Sequence, residues 1–174
     1  MKSSLLLYCL LLSFVVVSCD DSYTDDHSNS IYNFHINEVM ADNETTIMDN
    51  NEKYEDWIEI YNSSIKPLSL GGLFLTDGKT EWEIQESDST IVPANGFLIL
   101  WADDDVEEGV LHCNFKLSKS GEKLELYAKD EGKIIDIDEI EFDSLGTDKS
   151  YGRLVDGNEE FGILTEPTPG SPNK

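Results

Sequence analysis

Positively charged residues are scarce in this sequence. Its 174 residues contain 12 Lys and Arg against 36 Asp and Glu, which gives a formal net charge of −24. Proteins bind phosphate backbones through Lys and Arg that displace counterions, and anionic lipid headgroups attract basic segments. We therefore expect neither nucleic acid nor an anionic lipid surface to be a partner of the folded chain.

Cysteine is also rare, because the chain has only Cys9, Cys19 and Cys113. The first two belong to a predicted export segment, so Cys113 has no disulfide partner and stability must come from a hydrophobic core. The three histidines lack metal-binding spacing, and the sequence has no nucleophile elbow or phosphate-binding loop. We predict that the protein is not an enzyme and has no catalytic residues. Paired carboxylates such as Asp56 and Glu59 are the one route left open to catalysis.

The N-terminal residues have the pattern of a lipoprotein signal peptide. Lys2 precedes an apolar stretch over residues 5–17, which is too short to span a membrane. The residues Val-Val-Ser-Cys that end at Cys19 resemble the bacterial lipobox, whose cysteine is acylated and becomes the new N-terminus. An ordinary signal peptide cut near Ser18 is the alternative. We predict a signal peptide over residues 1–18 and lipid attachment at Cys19.

Residues 19–33 have the composition of a flexible acidic tether. The stretch DDSYTDDHSNS shows no hydrophobic periodicity. Acidic residues directly after a lipidated cysteine resemble a signal for export to the cell surface, and a solvated leader with no sorting role is the alternative. We expect an exported protein that is anchored in the bacterial cell envelope at the outer membrane, and exposed on the surface if the leader is a sorting signal.

Residues 34–174 show the two-residue period of β-strands and no helical period. Short alternating segments are separated by turns rich in Gly, Pro, Asn and Asp, which predicts an all-β sandwich or barrel. The Pro-rich end TEPTPGSPNK should lie extended over this domain or trail away from it. The segments are FHINEVM, DWIEIYN, GGLFLTD, TEWEI, GFLILWAD, EKLELYAK and GKIIDIDEIEF.

Two segments predict further detail. The continuous apolar run in GFLILWAD predicts a strand that is covered on both faces and central in its sheet. In GKIIDIDEIEF the apolar positions change parity, which predicts a β-bulge near Asp138 and Glu139.

The order of the motifs resembles the bacterial form of the lamin tail domain. From residue 34 to residue 173 the sequence contains INEVMADN, DWIEIYNSSIKPLSLGGLFLTD, WEI, IVPANGFLILWADD, LHCNFKLSKSGEKLELYAKDEGKIID, SYGRLVDG and EPTPGSPN in that order. The resemblance implies an immunoglobulin-like β-sandwich. In nuclear lamins this fold contacts protein and nucleic acid, and bacterial members occur on secreted and surface proteins, often beside hydrolases or nucleases.

The nucleic-acid role is not carried over, because the chain lacks a basic surface. We expect a non-catalytic, lipid-anchored binding or structural module whose partner is a protein or a glycan. A calcium-dependent glycan-binding or adhesion module is the alternative, and an accessory domain of an extracellular hydrolase or nuclease system ranks below it.

The segment DWIEIYN contains the candidate ligand-binding aromatics. Trp57 and Tyr61 share one face of the strand with Glu59, and Ile58 and Ile60 share the other, which is the safer choice for the core. On the outer face or near a strand end, the two aromatics could stack on a sugar or a partner. They could equally be covered by the tether, the Pro-rich tail or a loop.

Two acidic loops, residues 41–56 and 102–108, contain the candidate metal ligands. They cluster the carboxylate and amide oxygens that Ca²⁺ prefers, but neither has EF-hand spacing, and solvated acidic loops are the simpler interpretation. We expect no cofactor, with bound Ca²⁺ as the alternative. The candidate ligands are Asp42, Asp49, Asp56 and Asp103.

Two isolated residues are predicted to be structural. His112 and Cys113 are neighbours on a predicted strand, so their side chains should point to opposite faces, and Cys113 should be a small core residue. Arg153, the sole arginine, should form an ion pair with local carboxylates at one end of the sandwich.

Overall fold

A computed structural model describes residues 30–174 of the protein. The predicted signal peptide, Cys19 and nearly all of the tether lie outside the described residues. Within residues 30–174, no helix has the length and apolar character needed to cross a membrane.

The described chain is built from β-strands joined by loops and short 3-10 turns. The turns span Ile31–Asn33, Asp88–Thr90 and Val106–Glu108. The strands are β1 (Phe34–Met40), β2 (Trp57–Asn62), β3 (Leu68–Ser69), β4 (Phe74–Thr76), β5 (Glu81–Glu83), β6 (Ile91–Val92), β7 (Phe97–Trp101), β8 (Gly121–Asp130), β9 (Lys133–Asp143), β10 (Ser150–Arg153) and β11 (Phe161–Leu164).

The strands form two facing antiparallel sheets and a small ribbon. The front sheet has the order β11-β10-β1-β2-β7, the back sheet has the order β5-β4-β8-β9, and β3 pairs with β6 in the ribbon. Apolar side chains from both sheets form one core between them. The fold is therefore the immunoglobulin-like β-sandwich that the sequence predicts.

The alternation of residues along the strands decides which faces form the core. Ile58 and Ile60 of β2 pack in the core with Leu75 of β4 and with Leu124 and Leu126 of β8. The predicted core face of β2 is thus confirmed. Burial of such side chains contributes roughly 1.5–3 kcal/mol each.

Strand β7 lies at the edge of the front sheet, so the prediction that it is central is wrong. At the C-terminal end of β7, a loop rather than a second neighbouring strand pairs with its free edge. Trp101 donates its backbone N–H to Leu111 O at 2.8 Å and accepts from Cys113 N at 2.7 Å. Within β7 the apolar run is buried only at Leu100 and Trp101, and Phe97, Leu98 and Ile99 are partly buried.

Each sheet contains a β-bulge, and the two bulges meet. The register between β8 and β9 shifts beside Asp138, which confirms the predicted bulge, and the register between β1 and β2 shifts between Ile36 and Glu38. The Asp138 carboxylate accepts from Ile36 N at 2.6 Å. Both of its oxygens also accept from Arg153 Nη2 at 2.7 Å.

Arg153 is the buried cation that links the sheets. Its side chain is 2 % exposed, and its Nε donates to Ile36 O at 3.1 Å. The guanidinium also lies 4.5 Å from the centre of the Phe161 ring. The predicted structural ion pair therefore exists, but it joins β10 of the front sheet to β9 of the back sheet inside the sandwich.

We expect Arg153→Ala to destabilise the fold strongly, because it leaves the Asp138 carboxylate buried without its cation. Removing one member of a buried ion pair costs about 3–5 kcal/mol. Urea denaturation should show a loss of this size in the free energy of unfolding. Lys123→Ala, which removes an exposed ion pair on the back sheet, should leave the unfolding midpoint nearly unchanged. Equal midpoints for Arg153→Ala and the unmodified protein would contradict this role of Arg153.

Candidate functional site

The outer face of the front sheet, which points away from the main core, holds most of the candidate residues. On β2 this face presents Trp57, Glu59 and Tyr61. Trp57 pairs with Trp101 at one end of β7, and Tyr61 pairs with Phe97 at the other end. The outer face therefore has two ends with different chemistry and a polar centre between them.

Trp57 occupies one end of the outer face, in a second apolar cluster. Its side chain is 0 % exposed and packs with Met40 and Trp101, and Ile47 and Leu111 pack against this cluster. The loop between β1 and β2 contributes Ile47, so a loop covers the indole. The hypothesis that Trp57 stacks on a ligand is wrong for this conformation, because none of the ring is accessible.

The centre of the outer face carries two buried carboxylates, Glu38 and Glu59, under the C-terminal tail. Glu38 accepts from Thr168 N and Oγ1, the latter at 2.9 Å. Glu59 accepts from Gly170 N at 2.6 Å and from Asn37 Nδ2 at 3.0 Å. Proline residues lack an N–H, and the amides between them in the tail point to these carboxylates. The tail thus lies over the sandwich, which is one of the two predicted alternatives.

Burial controls the ionisation of both carboxyl groups. Loss of solvation raises the pKa of Glu59 to about 8, although hydrogen bonds from Asn37 and Gly170 act in the opposite direction. Burial also raises the pKa of Glu38, against the hydrogen bonds from Ser150 and Thr168. The outer face is therefore acidic in composition, and burial beneath the tail raises the pKa of both carboxyl groups.

Tyr61 lies at the other end of the outer face in an aromatic strip, defined as His35, Tyr61 and Phe97. The Tyr61 ring lies 5.0 Å from Phe97 and 6.2 Å from His35 between centroids, with interplanar angles of 30° and 29°. All three side chains are only partly buried. His35 Nε2 lies 3.1 Å from Ser63 Oγ, and burial lowers the pKa of His35. The strip is thus a row of stacked rings that is partly accessible to solvent.

The four predicted metal ligands separate into different environments. Asp42 pairs with Lys119 and accepts from Thr147 Oγ1 at 2.7 Å. Asp56 accepts from Asn43 N at 3.2 Å, and burial raises its pKa to about 6. Neither belongs to the group in which the other two candidates meet.

Asp49 and Asp103 are brought together with two residues that the sequence did not indicate, Glu108 and His112. One ligand atom from each of these four residues lies within 4.8 Å of the others. We call this group the acid-histidine cluster. His112 Nδ1 lies 2.6 Å from Asp103 Oδ2, and both side chains are buried. Glu108 pairs with the ammonium group of Lys53.

A family model of the lamin tail domain matches residues 27–144 of the chain. The protein belongs to the lamin tail domain family. No curated protein and no solved structure matches the chain. The matched range ends just after β9, yet β10 pairs with β1 and β11 pairs with β10, so the front sheet of this lamin tail domain extends beyond it.

Sequence reasoning missed Glu108 and His112 because their role depends on the path of one loop. His112 follows Asp103 by nine residues, a spacing that matches no metal-binding motif. The loop after β7 turns back so that His112 bridges to Trp101 beside the end of the strand. The backbone of Gly109, with φ of 143°, lies within this turn and was the one available signal. Cys113 points the other way and is buried in the main core, as predicted.

We expect Trp57→Ala to destabilise this lamin tail domain by about 3–5 kcal/mol, because it empties the centre of the second apolar cluster. Trp57→Phe should cost less. It keeps most of the apolar volume and removes an indole N–H that has no hydrogen-bond partner among residues 30–174. Urea denaturation of the two variants checks this order. A Trp57→Ala variant as stable as Trp57→Phe would show that the indole is not a packing element.

We expect Glu59 to make the domain less stable as the pH rises. Its pKa is raised in the folded state, so its contribution is fully present below the unfolded value of 4.5 and is lost as the pH approaches about 8. Glu38 acts in the same direction, whereas the lowered pKa of His35 acts in the opposite direction near pH 6.5.

The measurement is the free energy of unfolding against pH, for the unmodified protein and for Glu59→Gln. Between pH 4.5 and about 8, the free energy of unfolding of Glu59→Gln should fall less than that of the unmodified protein. Glu125→Gln changes an exposed carboxylate of the back sheet and is the matched control. Its free energy of unfolding should fall with pH as that of the unmodified protein does. Parallel curves for the unmodified protein and Glu59→Gln would contradict the raised pKa.

Proposed function

We propose that this protein is a lipid-anchored, non-catalytic binding or structural module of the bacterial cell envelope. The lipobox-like residues that end at Cys19 supply the anchor, and the acidic residues that follow supply the tether. The folded unit is an immunoglobulin-like sandwich of the lamin tail domain family. The partner is a protein or a glycan.

The observation that carries the non-catalytic role is the engagement of the buried acid and base groups. Arg153 holds the two sheets together, and Glu38 and Glu59 hold the C-terminal tail. General acid-base catalysis needs groups that can reach a substrate proton. Groups that are buried and bonded to the backbone of the same chain are poorly placed for that task, which supports a binding or structural role.

The aromatic strip is the surface that best fits a partner. Tyr61 is stacked between His35 and Phe97, so its ring is held in place before a ligand arrives. The loop at Gly157 supports the strip from one side, since a Cβ at that glycine would lie 3.3 Å from the Tyr61 ring. A rigid, partly exposed row of aromatic rings can pack its exposed edges against a sugar or fill a pocket of a protein at low entropic cost.

The aromatic strip lies close to the point where the predicted tether joins the folded domain. His35 is the second residue of β1, so the strip lies at the end of the sandwich that the tether enters. Residues 20–30, if fully extended, would reach roughly 40 Å from the lipid. The strip is thus within reach of partners at the membrane surface.

A calcium-dependent glycan-binding or adhesion module is the second candidate. The meeting of Asp49 and Asp103 in one cluster favours it. The nitrogen of His112 in the same cluster counts against it, because Ca²⁺ is bound almost entirely by oxygen atoms.

The test combines anchoring with binding in the full-length protein, expressed in bacteria. The unmodified protein should incorporate labelled palmitate and sediment with membranes, and Cys19→Ser should do neither. Chemical cross-linking in native membranes should give a discrete product that Tyr61→Ala loses, because the variant removes the centre of the strip.

Tyr54→Ala is the matched control, since Tyr54 is 40 % exposed and lies outside the strip. It should retain the cross-linked product. Labelled palmitate on Cys19→Ser would contradict the anchor. Equal cross-linking by Tyr61→Ala and Tyr54→Ala would contradict the role of the strip.

A further inference from the structure

We propose that the acid-histidine cluster, formed by Asp49, Asp103, Glu108 and His112, is a binding site for a divalent first-row transition-metal ion. Each residue offers one ligand atom, and these atoms lie within 4.8 Å of one another. The cluster stands at the end of the sandwich opposite the aromatic strip, because Asp103 follows the last residue of β7 closely.

Two loops hold the four ligands. Asp103 forms an isolated bridge with Lys116, and His112 forms one with Trp101. Glu108 is the last residue of the 3-10 turn Val106–Glu108. Asp49 comes from the loop between β1 and β2. Three of the side chains are thus placed by one loop that is tied to the front sheet, and the fourth closes the group from outside it.

The strongest sign of a cation-binding site is the carboxylate of Asp49, which is 7 % exposed. Its Oδ1 accepts from Asn51 N and Lys53 N, both at 2.8 Å. Its Oδ2 is buried, and no donor within residues 30–174 reaches it. A buried carboxylate oxygen without a partner is costly, and a bound cation would satisfy it.

His112 and Asp103 place two potential ligand atoms next to each other in a buried position. The two side chains are 4 % and 2 % exposed, and His112 Nδ1 lies 2.6 Å from Asp103 Oδ2. Metal ligands bind in their deprotonated forms, so an ion bound here would take the place of the proton that His112 Nδ1 and Asp103 Oδ2 share. The Trp101 ring stacks on His112 at 6.5 Å between centroids and limits rotation of the imidazole.

The donor set selects the class of ion. One imidazole nitrogen and three carboxylates suit Zn²⁺ or a related first-row ion, whereas Ca²⁺ takes six to eight oxygen atoms. Around Zn²⁺, with bonds of about 2.0–2.2 Å, neighbouring ligand atoms lie roughly 3.3 Å apart. The ligand atoms that lie farthest apart must therefore approach one another by up to about 1.5 Å, and His112 Nδ1 and Asp103 Oδ2, which lie 2.6 Å apart, must separate slightly.

The net negative charge of the cluster also favours a bound cation. Three carboxylates meet in the cluster, and Lys53, which pairs with Glu108, supplies one positive charge. The Lys53 side chain is half-exposed and can move into solvent. A divalent ion would offset the remaining repulsion among the carboxylates.

Calorimetric titration of the full-length protein in detergent, freed of metal with a chelator, tests the proposal with ZnCl₂ as the probe. We expect one saturable site in the unmodified protein. Asp49→Asn and His112→Gln should each weaken Zn²⁺ binding by about tenfold or more. Asp42→Asn and His35→Gln change the same residue types outside the cluster and should bind Zn²⁺ like the unmodified protein.

Asp49→Asn also separates metal binding from folding. Asparagine keeps the Oδ1 acceptor for Asn51 N and Lys53 N but removes the buried charge. In chelator, the melting temperature of Asp49→Asn should equal or exceed that of the unmodified protein. Saturating Zn²⁺ should raise the melting temperature of the unmodified protein and leave that of the variant in place.

Three results would overturn the proposal. The first is the absence of saturable Zn²⁺ binding. The second is equal affinity in Asp49→Asn and Asp42→Asn, which would mean diffuse binding to an acidic surface. The third is Ca²⁺ bound more tightly than Zn²⁺ in the same titration, which would assign the cluster to a different class of ion.

Discussion

The ion pair between Arg153 and Asp138 fixes how the two sheets of this lamin tail domain face each other. Asp138 sits beside the bulge of β9 and accepts from Ile36 N beside the bulge of β1, so one carboxylate secures both irregularities. The bulge of β1 in turn places Asn37, whose side chain donates to Glu59 and to Asp156. A buried ion pair adds little net stability. This one connects the two bulges, and the bulge of β1 places Asn37 beside the outer face.

Because cationic side chains are scarce, hydrogen-bond donors rather than ion pairs stabilise most of the carboxylates described here. With 12 Lys and Arg for 36 Asp and Glu, ion pairs cannot satisfy most acids, and hydrogen-bond donors do so instead. Glu38 and Glu59 are satisfied by amides of the tail, Asn37 and hydroxyl groups. Asp148 accepts from the backbone N–H of Glu44 and Thr45 and from nearby threonine hydroxyl groups, which lowers its pKa to about 2. Asp49 is the exception that suggests a metal ion, because its second oxygen has no such donor among the described residues.

The sequence predicted what depends on local alternation and missed what depends on the paths of loops. Alternation identified Ile58 and Ile60 as core residues, and the change of parity located the bulge at Asp138. It could place Trp57 on the outer face but could not show that Ile47 closes over it, since the cover comes from a loop with no period of its own. The same limit applies to His112, which reaches Asp103 only after the chain has turned back on itself.

The covered centre of the outer face restricts where a partner can bind. The tail covers Glu38 and Glu59 at the centre, and the second apolar cluster covers Trp57 at one end, so the aromatic strip at the other end is the accessible part of this face that remains for a partner. The aromatic strip lies at the end that the tether enters, and the acid-histidine cluster lies at the far end. If Cys19 holds the protein on a membrane, the tether joins the domain at the end that carries Tyr61, and His112 lies at the opposite end. A metal ion at the far end would then act independently of a partner at the strip, because the tail and the packed core separate the two surfaces.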